Sequence, residues 1–404
     1  MKKIVAGILL TLLHAPLTAA APAGSTATVA KRESVYIHAL SLRASSGGLI
    51  DPRPFFRGIN AAGKGIENTT SVHLNYSFRA RPGSWTDRVF GSPYQGVGLA
   101  YTTFHNRQEI GDPVTLYVFQ GARLARISPR LSLNYEWGLG ASFGWHPYNY
   151  YYNYYNDVIG TGTNAYINIG TYFNYAVSRR IDVTAGVSLT HYSNGNTKTP
   201  NKGINVLSAD IGLRYNFDRK SALTAKPLRT GISNYQRHFV HEFLVFGSWH
   251  GVTVDITGTN IRDSYPLKKF AVVGLSYAPL YAIGHKVRLG GSLDFHFDRA
   301  AGVEYYEGPG GSVISTNVAA GKQLFMGIAG RIDYTMPYFT LSASIGYDII
   351  HPATNYRPFY QSLSLKVNVS QEIFLNVGYR LSSFKNPNFL ILGVGFRINN
   401  QNQK

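Results

Sequence analysis

The stretch that decides the fold is LSLNYEWGLGASF, which runs from Leu131 to Phe143. Its odd-numbered positions are apolar or aromatic, and its even-numbered positions are polar or glycine. Alternation with a period of two is typical of a β-strand that has one apolar and one polar face. The same alternation recurs in Ile181–Leu189 and in Phe339–Ile349. Taken alone, the pattern fits a soluble β-sandwich as well as a membrane barrel.

Loop lengths separate these two fold classes. By the same criterion we count about sixteen candidate strands along the chain. They start near Ser34, Ser71, Tyr94, Thr115, Leu131, Asn164, Ile181, Val206, Phe239, Phe270, Lys286, Gln323, Phe339, Phe359, Ile373 and Leu390. Tight turns at 127–130 and 178–180 alternate with long connections at 43–70, 146–163 and 191–205. Short turns at one end and long loops at the other are typical of an outer-membrane β-barrel.

The predicted fold class is therefore all-β, an antiparallel transmembrane outer-membrane β-barrel of about sixteen strands. Such a set of strands can close as one wide barrel around water, or as two eight-stranded barrels whose lumens are filled by side chains. The sequence leaves both closures open. Aromatic residues near strand ends, among them Trp145, Tyr172 and Tyr215, are expected to form girdles at the membrane interfaces.

The N-terminus predicts export. Lys2 and Lys3 precede an apolar run from Ile4 to Leu13, and Thr18-Ala19-Ala20 provide a cleavage site of small residues. This order is that of a secretory signal, so residues 1–20 are expected to be a cleavable signal peptide. The apolar run is too short to span a bilayer, which needs about 20 residues. The expected location is the outer membrane.

Composition excludes several classes of protein. The 404-residue chain has no cysteine, which removes disulfides, thiolate metal sites and cysteine nucleophiles. Lys and Arg number 39 against 21 Asp and Glu, for a net charge of +18. A basic balance suggests nucleic acid, but only 15% of the residues are charged, and Tyr, Asn and Gly are abundant instead. We therefore expect no nucleic acid partner.

A weak internal repeat divides the chain. Residues 177–189 align with residues 369–381, and the strands that follow also resemble each other, Ile211–Asn216 with Val394–Asn399. Duplication of an eight-stranded unit explains this pattern. The predicted organisation is a signal peptide at 1–20, a first barrel half at 31–217, a linker or long periplasmic turn at 218–237 and a second barrel half at 238–398.

Polar residues cluster where the seventh predicted strand ends. The apolar parity of Ile181–Leu189 continues to His191 and Ser193, so both side chains are expected on the lipid-facing side. On the returning strand the apolar parity includes Leu207 and reaches back to Asn205. If Leu189 faces Leu207 across the hairpin, then His191 faces Asn205. The sequence thus predicts three polar side chains outside the barrel at the membrane boundary.

This cluster has the residue types of a nucleophilic catalyst. His191 can act as a general base toward the Ser193 hydroxyl, with the Asn205 side-chain oxygen orienting the imidazole. A catalytic group that faces lipid reaches a lipid ester without extracting it. The alternative is a polar strand end followed by an Asn-Gly turn, with no chemistry. Because His-x-Ser is a weak motif, the residues alone favour that alternative.

A longer signature changes this balance. The segment HYSNG at 191–195, followed by Pro200-Asn201 and Gly203-Ile204, resembles that of the lipid A 3-O-deacylase family of eight-stranded outer-membrane barrels. The resemblance covers Lys31 to Phe217. It implies hydrolysis of the ester at the 3-position of lipid A, with release of a 3-hydroxy fatty acid and with no metal or other cofactor.

The resemblance also implies roles for individual residues. His191 would be the base and Ser193 the nucleophile, while Asn194 and Gly195 would lie near the oxyanion site. The acidic residue of the family's triad falls on Asn205, which can hold the imidazole but cannot stabilise imidazolium by its charge. In a serine protease the corresponding Asp-to-Asn change costs about 10⁴ in rate.

The second half is expected to lack the catalytic pair. Under the repeat alignment, His191 falls on Ser383 and Ser193 falls on Lys385. This half would then be scaffold, pore wall or substrate platform.

Two functions from different classes remain open. The first is an outer-membrane esterase that acts on lipid A or lipopolysaccharide, with Lys198 and Lys202 contacting the anionic groups of the substrate. The second is a non-enzymatic barrel, either a porin or a surface-binding protein. Polar residues expected on the lumen side, such as Arg331 and Asp333, motivate the second function.

Overall fold

The computed structural model describes residues 36–50, 53–198, 200–217, 219–220, 235–254, 265–307, 313–351, 357–384 and 386–399. The expected signal peptide at 1–20 lies outside the described residues, as does most of the expected linker at 218–237. Within the described ranges, no helix is both long enough and apolar enough to cross a membrane.

The chain forms two separate closed barrels, each of eight antiparallel strands. The first barrel contains β1 (Tyr36–Leu49), β2 (Asn68–Ala80), β3 (Tyr94–Thr103), β4 (Gly111–Arg126), β5 (Leu131–Trp145), β6 (Thr163–Ala176), β7 (Ile181–Ser193) and β8 (Ile204–Asn216). In this barrel each strand pairs with its sequence neighbour, and β1 pairs with β8 to close the ring.

The second barrel repeats this plan. Its strands are β9 (His238–Val254), β10 (Tyr265–Ala282), β11 (Val287–Asp298), β14 (Leu324–Thr335), β15 (Phe339–Ile350), β16 (Phe359–Asn368), β17 (Ile373–Ser382) and β18 (Asn386–Asn399). Pairing of β18 with β9 closes the ring. A small hairpin of β12 (Tyr305–Glu307) and β13 (Val313–Ser315) lies outside the barrel. Of the two closures that the sequence left open, the structure has the pair of eight-stranded barrels.

The alternation of residues explains the two faces of each barrel wall. In β7 the outward side chains of Val187 and Leu189 are exposed, while Ser188 and Thr190 between them are buried in the lumen. Exposed apolar side chains of this kind recur along the other strands and form an apolar band outside each barrel. A band of this kind is what a lipid bilayer requires of a spanning barrel.

Turn lengths orient both barrels in the same way. Short turns at 127–130, 177–180, 283–286, 336–338 and 369–372 define one end, which we call the short-turn end. The opposite, long-loop end carries the connections at 50–67, 146–162 and 194–203. The connection between β2 and β3 also lies at the short-turn end and contains helix α1 (Trp85–Phe90), which Ser84 caps.

The internal repeat has a structural counterpart. Residues 177–180 and 369–372 form equivalent turns before β7 and β17, the seventh strand of each barrel. Ser178 Oγ accepts hydrogen bonds from the backbone of Arg180 and Ile181. Ser370 Oγ accepts the same bonds from Glu372 and Ile373. The aligned segments therefore occupy the same place in their barrels.

Two details differ from the sequence prediction. β1 continues through Leu49 and β2 begins at Asn68, so the first loop is shorter than 43–70. Trp145 and Tyr172 are buried in the lumen and do not join a girdle, whereas Tyr215 is exposed as expected. Gly144, with a φ of +91°, breaks the alternation just before Trp145 and reverses the face of that side chain. Tyr172 follows the lumen parity of β6.

The lumen of the first barrel is filled. At its long-loop end, aromatic residues pack together, with Tyr192 5.0 Å from Trp145 and Tyr166 5.0 Å from Tyr117 between ring centroids. Below them the buried pair Arg43–Glu136 spans the interior at 2.9 Å. A cavity beside this pair has a volume of about 20 Å³, with room for only one or two water molecules.

The lumen of the second barrel holds a buried ion cluster. Glu242 accepts from Arg397 at 2.8 Å and also pairs with Lys366 and Arg331. Lys366 additionally contacts Asp333 at 2.5 Å. The polar residues that suggested a pore therefore neutralise one another across the lumen. A nearby cavity has a volume of only about 40 Å³.

Candidate active site

His191 and Asn205 face each other on the outside of the first barrel. The register of β7 and β8 pairs Leu189 with Leu207 and His191 with Asn205, as the parity argument predicted. His191 Nδ1 lies 2.8 Å from Asn205 Oδ1. Because the amide oxygen can only accept, this bond places the proton on Nδ1 and leaves Nε2 free to act as a base.

Ser193 is the last residue of β7 and lies on the same outward face as His191. It pairs across the sheet with Ala165 of β6, and His191 pairs with Ile167. Among the described residues, no hydrogen bond joins the Ser193 hydroxyl to His191. Catalytic hydrogen bonds often form only in the substrate complex, so the lack of this bond does not exclude a working pair.

Tyr192, which lies between His191 and Ser193, holds the end of β7 in place. Tyr192 points into the lumen and is only 3% exposed. Its ring packs against Trp145, Tyr166 and Phe104 at centroid distances of 5.0, 5.6 and 6.2 Å. An anchored Tyr192 orients the backbone on either side of it, so His191 and Ser193 point away from the barrel.

Gly203 makes room for the imidazole. Its φ is +69°, in the left-handed region that favours glycine. A methyl group at this position would lie 2.8 Å from His191 Cε1 and 3.5 Å from His191 Nε2. Gly203 is part of the loop motif, but its positioning role was not predicted, because a contact with a ring twelve residues earlier is not visible in the sequence.

Asn194 and Gly195 form the turn after the nucleophile candidate. The Asn194 backbone N–H donates to Asn201 Oδ1 at 2.8 Å, and its side-chain amide donates to the Lys198 carbonyl at 2.7 Å. Through these hydrogen bonds Asn194 stabilises the conformation of the loop. Gly195 follows with a φ of +63°.

The two lysines of the loop lie in different environments. The Lys202 ammonium pairs with Asp157, which belongs to the loop between β5 and β6. Arg53 donates to the carbonyls of Lys202 at 2.8 Å and Gly203 at 3.2 Å. Lys202 thus ties two long loops together, while Lys198 is half-buried. Arg53, a further support of the site, was not predicted from the sequence.

The second half lacks the pair at the equivalent position. β17 ends at Ser382, and Ser383 lies in the following turn with a φ of +53°. Lys385 lies outside the described residues. Asp210, the acidic residue closest in sequence to Asn205, is buried in the lumen and accepts a hydrogen bond from Ser45. It is therefore on the wrong side of the sheet to assist His191.

The fold and this cluster together define a class: an outer-membrane β-barrel with a serine, a histidine and an amide on its lipid-facing surface. Residues 70–214 match the family described as Lipid A 3-O-deacylase (PagL). Residues 243–400 match the family described as Acyloxyacyl hydrolase, C-terminal domain. The first half of the chain therefore carries a domain of the lipid A 3-O-deacylase family, and the second half carries the acyloxyacyl hydrolase C-terminal domain.

Two solved structures show a low sequence identity to the chain. The crystal structure of the outer membrane enzyme PagL is 17% identical, with a TM-score of 0.29, and the match covers 43% of this chain and 97% of that chain. The crystal structure of Neisserial surface protein A (NspA) is 13% identical, with a TM-score of 0.28, and the match covers 45% of this chain and 96% of that chain. No curated protein matches the chain in sequence.

Proposed function

We propose that this protein hydrolyses the 3-O-acyl ester of lipid A in the outer membrane and releases a 3-hydroxy fatty acid. The observation that carries this proposal is the 2.8 Å hydrogen bond between His191 Nδ1 and Asn205 Oδ1 on the lipid-facing surface. Ser193 lies two residues from His191 on the same face of β7. The wall of the barrel separates these groups from the lumen. They face the lipid near the long-loop end, where they contact the ester of a lipid substrate.

The chemistry follows the order of serine esterases. Ser193 Oγ attacks the ester carbonyl as His191 Nε2 takes its proton, and a tetrahedral oxyanion forms. The bond from the former carbonyl carbon to the sugar 3-oxygen then breaks, imidazolium protonates that oxygen to the free 3-hydroxyl, and an acyl-enzyme remains on Ser193. Water, deprotonated by His191, cleaves this ester and releases the fatty acid. Asn205 holds one tautomer and one ring orientation throughout.

The oxyanion needs donors beside the nucleophile. Since the Asn194 N–H already donates to Asn201, we assign this role to the backbone N–H of Gly195. Donors aimed at the developing charge are worth about 10² to 10³ in rate in comparable enzymes. Lys198 is the better placed of the two lysines to contact a substrate phosphate, because Lys202 is already paired with Asp157.

Mass spectrometry of lipid A tests the proposal. Lipid A is extracted from cells that make the full-length chain, its Ser193→Ala variant or its Ser383→Ala variant. We expect loss of the 3-O-acyl group with the parent chain and with Ser383→Ala, and intact lipid A with Ser193→Ala. An acylation pattern that is the same in all three strains and in cells without the gene would refute the proposal.

A further inference from the structure

The two barrels contact each other through their outward faces at the short-turn end. Tyr36 Oη lies 3.1 Å from Tyr338 Oη, and the ring of Phe78 packs on that of Tyr338 at 5.6 Å. Trp137 of β5 meets Phe339 of β15 edge to face at 5.1 Å. These aromatic contacts fix the second barrel beside the first.

A second contact lies at the long-loop end, next to the candidate active site. A methyl group added at Gly195 would lie 2.6 Å from Cδ2 and 2.8 Å from Cγ of Leu390. Leu390 belongs to β18 of the second barrel. Its side chain thus packs directly on the backbone two residues after Ser193, and Gly195 is buried there.

Beside Leu390 lies a hydroxyl that lacks a partner. The register of β17 and β18 pairs Tyr379 with Leu390, and Tyr379 lies on the outward face, between the lumen-facing residues Gly378 and Arg380. Tyr379 Oη is buried and makes no hydrogen bond among the described residues. Buried tyrosine hydroxyls normally have a partner, so this unpaired Oη can donate to a ligand group that displaces the side chains covering it.

The surface of the first barrel below the site remains open. Ile167 beside His191, Ile169 and Leu189 are 46%, 59% and 41% exposed. The second barrel therefore does not cover β6 and β7 at this depth. The exposed apolar face of β6 and β7 thus lies below Ser193, and Leu390 of the second barrel packs beside it on Gly195.

We propose that β17 and β18 of the second barrel form one wall of the substrate cleft. Leu390 contacts the acyl chain next to the scissile ester, and Tyr379 Oη donates a hydrogen bond to an oxygen of the acylated glycolipid. This inference rests on the proposed function for its substrate. It gives the second barrel a role in substrate selection, although that barrel carries no catalytic pair.

The preference of the full-length protein for acyl chains of different length tests whether β17 and β18 contact the substrate. Lipid A analogues that differ only in the length of the 3-O-acyl chain are hydrolysed by the parent, Leu390→Ala, Leu390→Trp and Tyr379→Phe. We expect Leu390→Trp to favour shorter chains and Leu390→Ala to favour longer chains, each changing the ratio of kcat/KM by roughly tenfold. Tyr379→Phe should lower kcat/KM by a similar factor at every chain length.

Matched controls separate this role from a loss of stability. Leu275→Ala and Tyr347→Phe change outward residues of the same barrel that are each 51% exposed, and both variants should keep the parent profile. A structural defect would lower the rate equally for all chain lengths and would also lower the thermal unfolding temperature, which Tyr379→Phe should leave at the parent value. Leu390 profiles that superimpose on that of the parent after scaling would overturn the inference.

A binding measurement keeps the inference separate from the proposed function. The Ser193→Ala chain is mixed with a lipid A analogue that carries a diazirine in its 3-O-acyl chain, irradiated and digested. We expect labelled peptides from β6 and β7 and also from β17 and β18. If β17 and β18 are labelled but the parent hydrolyses no lipid A, the inferred substrate contact is retained and the proposed esterase activity is refuted. Labelling confined to the first barrel would refute the wall.

Discussion

His191 Nδ1 lies 2.8 Å from Asn205 Oδ1, across two strands whose register brings both side chains to the outside of the first barrel. An amide holds the imidazole as a carboxylate would, but it lacks the charge that stabilises imidazolium. The arrangement combines correct geometry with weaker electrostatics, and this combination can be tested directly.

Asn205→Asp should raise kcat, because the carboxylate keeps the shape of the amide and adds a charge beside the imidazolium. We expect a gain of at least about tenfold, well within the 10⁴ that the reverse change costs a serine protease. Asn205→Ala should lower kcat by about 10², since the ring loses its orienting bond. Steady-state kinetics on lipid A in detergent measures both variants. A drop in kcat for Asn205→Asp would contradict this account.

Gly203→Ala should reduce kcat more than it reduces stability. The new methyl group would lie 2.8 Å from His191 Cε1 and would displace the ring from Asn205. The matched control is Gly63→Ala, where φ is +62° and no atom lies within 4 Å of the added methyl. Both changes carry a left-handed strain of about 1–2 kcal/mol. Thermal unfolding should shift similarly in both variants, whereas only Gly203→Ala should lose activity; equal activities would exclude a positioning role.

Glu242→Gln should destabilise the second barrel. It removes the carboxylate on which Lys366, Arg331 and Arg397 converge and leaves this group of buried cations with one carboxylate fewer. Breaking a buried ion pair from one side costs about 3–5 kcal/mol. Urea unfolding in detergent measures the loss. Glu372→Gln, in the exposed turn before β17, serves as the control and should change little.

Neither barrel should conduct ions. Packed aromatic rings around Tyr192 close the first lumen, and the ion cluster around Glu242 crosses the second. Planar bilayer recordings of the full-length protein should stay at the level of the empty bilayer. Discrete and reproducible conductance steps that are unchanged in Ser193→Ala would instead support the alternative that the protein is a porin.

The contact of Trp85 with His285 should weaken at acidic pH. Their rings meet edge to face at 5.2 Å, between helix α1 of the first barrel and a short turn of the second. Burial lowers the pKa of His285 below its ordinary value of 6.5, so the packed state favours the neutral ring. The stabilisation is fully present above that value and is lost as the pH falls through it.

Tryptophan fluorescence between about pH 8 and pH 5 reports this change. The parent should show a transition that His285→Gln lacks. A transition of equal size in His285→Gln would assign it to another group.

The sequence determined the strands, their two faces and the pairing of His191 with Asn205. Alternation is local, and a hairpin transmits parity from one strand to the next, so a single assumed pair, Leu189 with Leu207, was enough to place the polar cluster. The repeat was also detected from local sequence, because the turns that contain Ser178 and Ser370 have similar residues at aligned positions.

Only the tertiary structure decided the rest. The number of barrels depends on whether β8 pairs with β1 or with β9, and pairing between distant strands leaves no local pattern. Trp145 was misplaced because a single left-handed glycine before it reversed its face. The approach of Gly203 to the His191 ring and of Leu390 to Gly195 depends on how loops and barrels pack. Such contacts join residues that are far apart in sequence or bound by no shared period, and for that reason the chain's composition and spacing could not predict them.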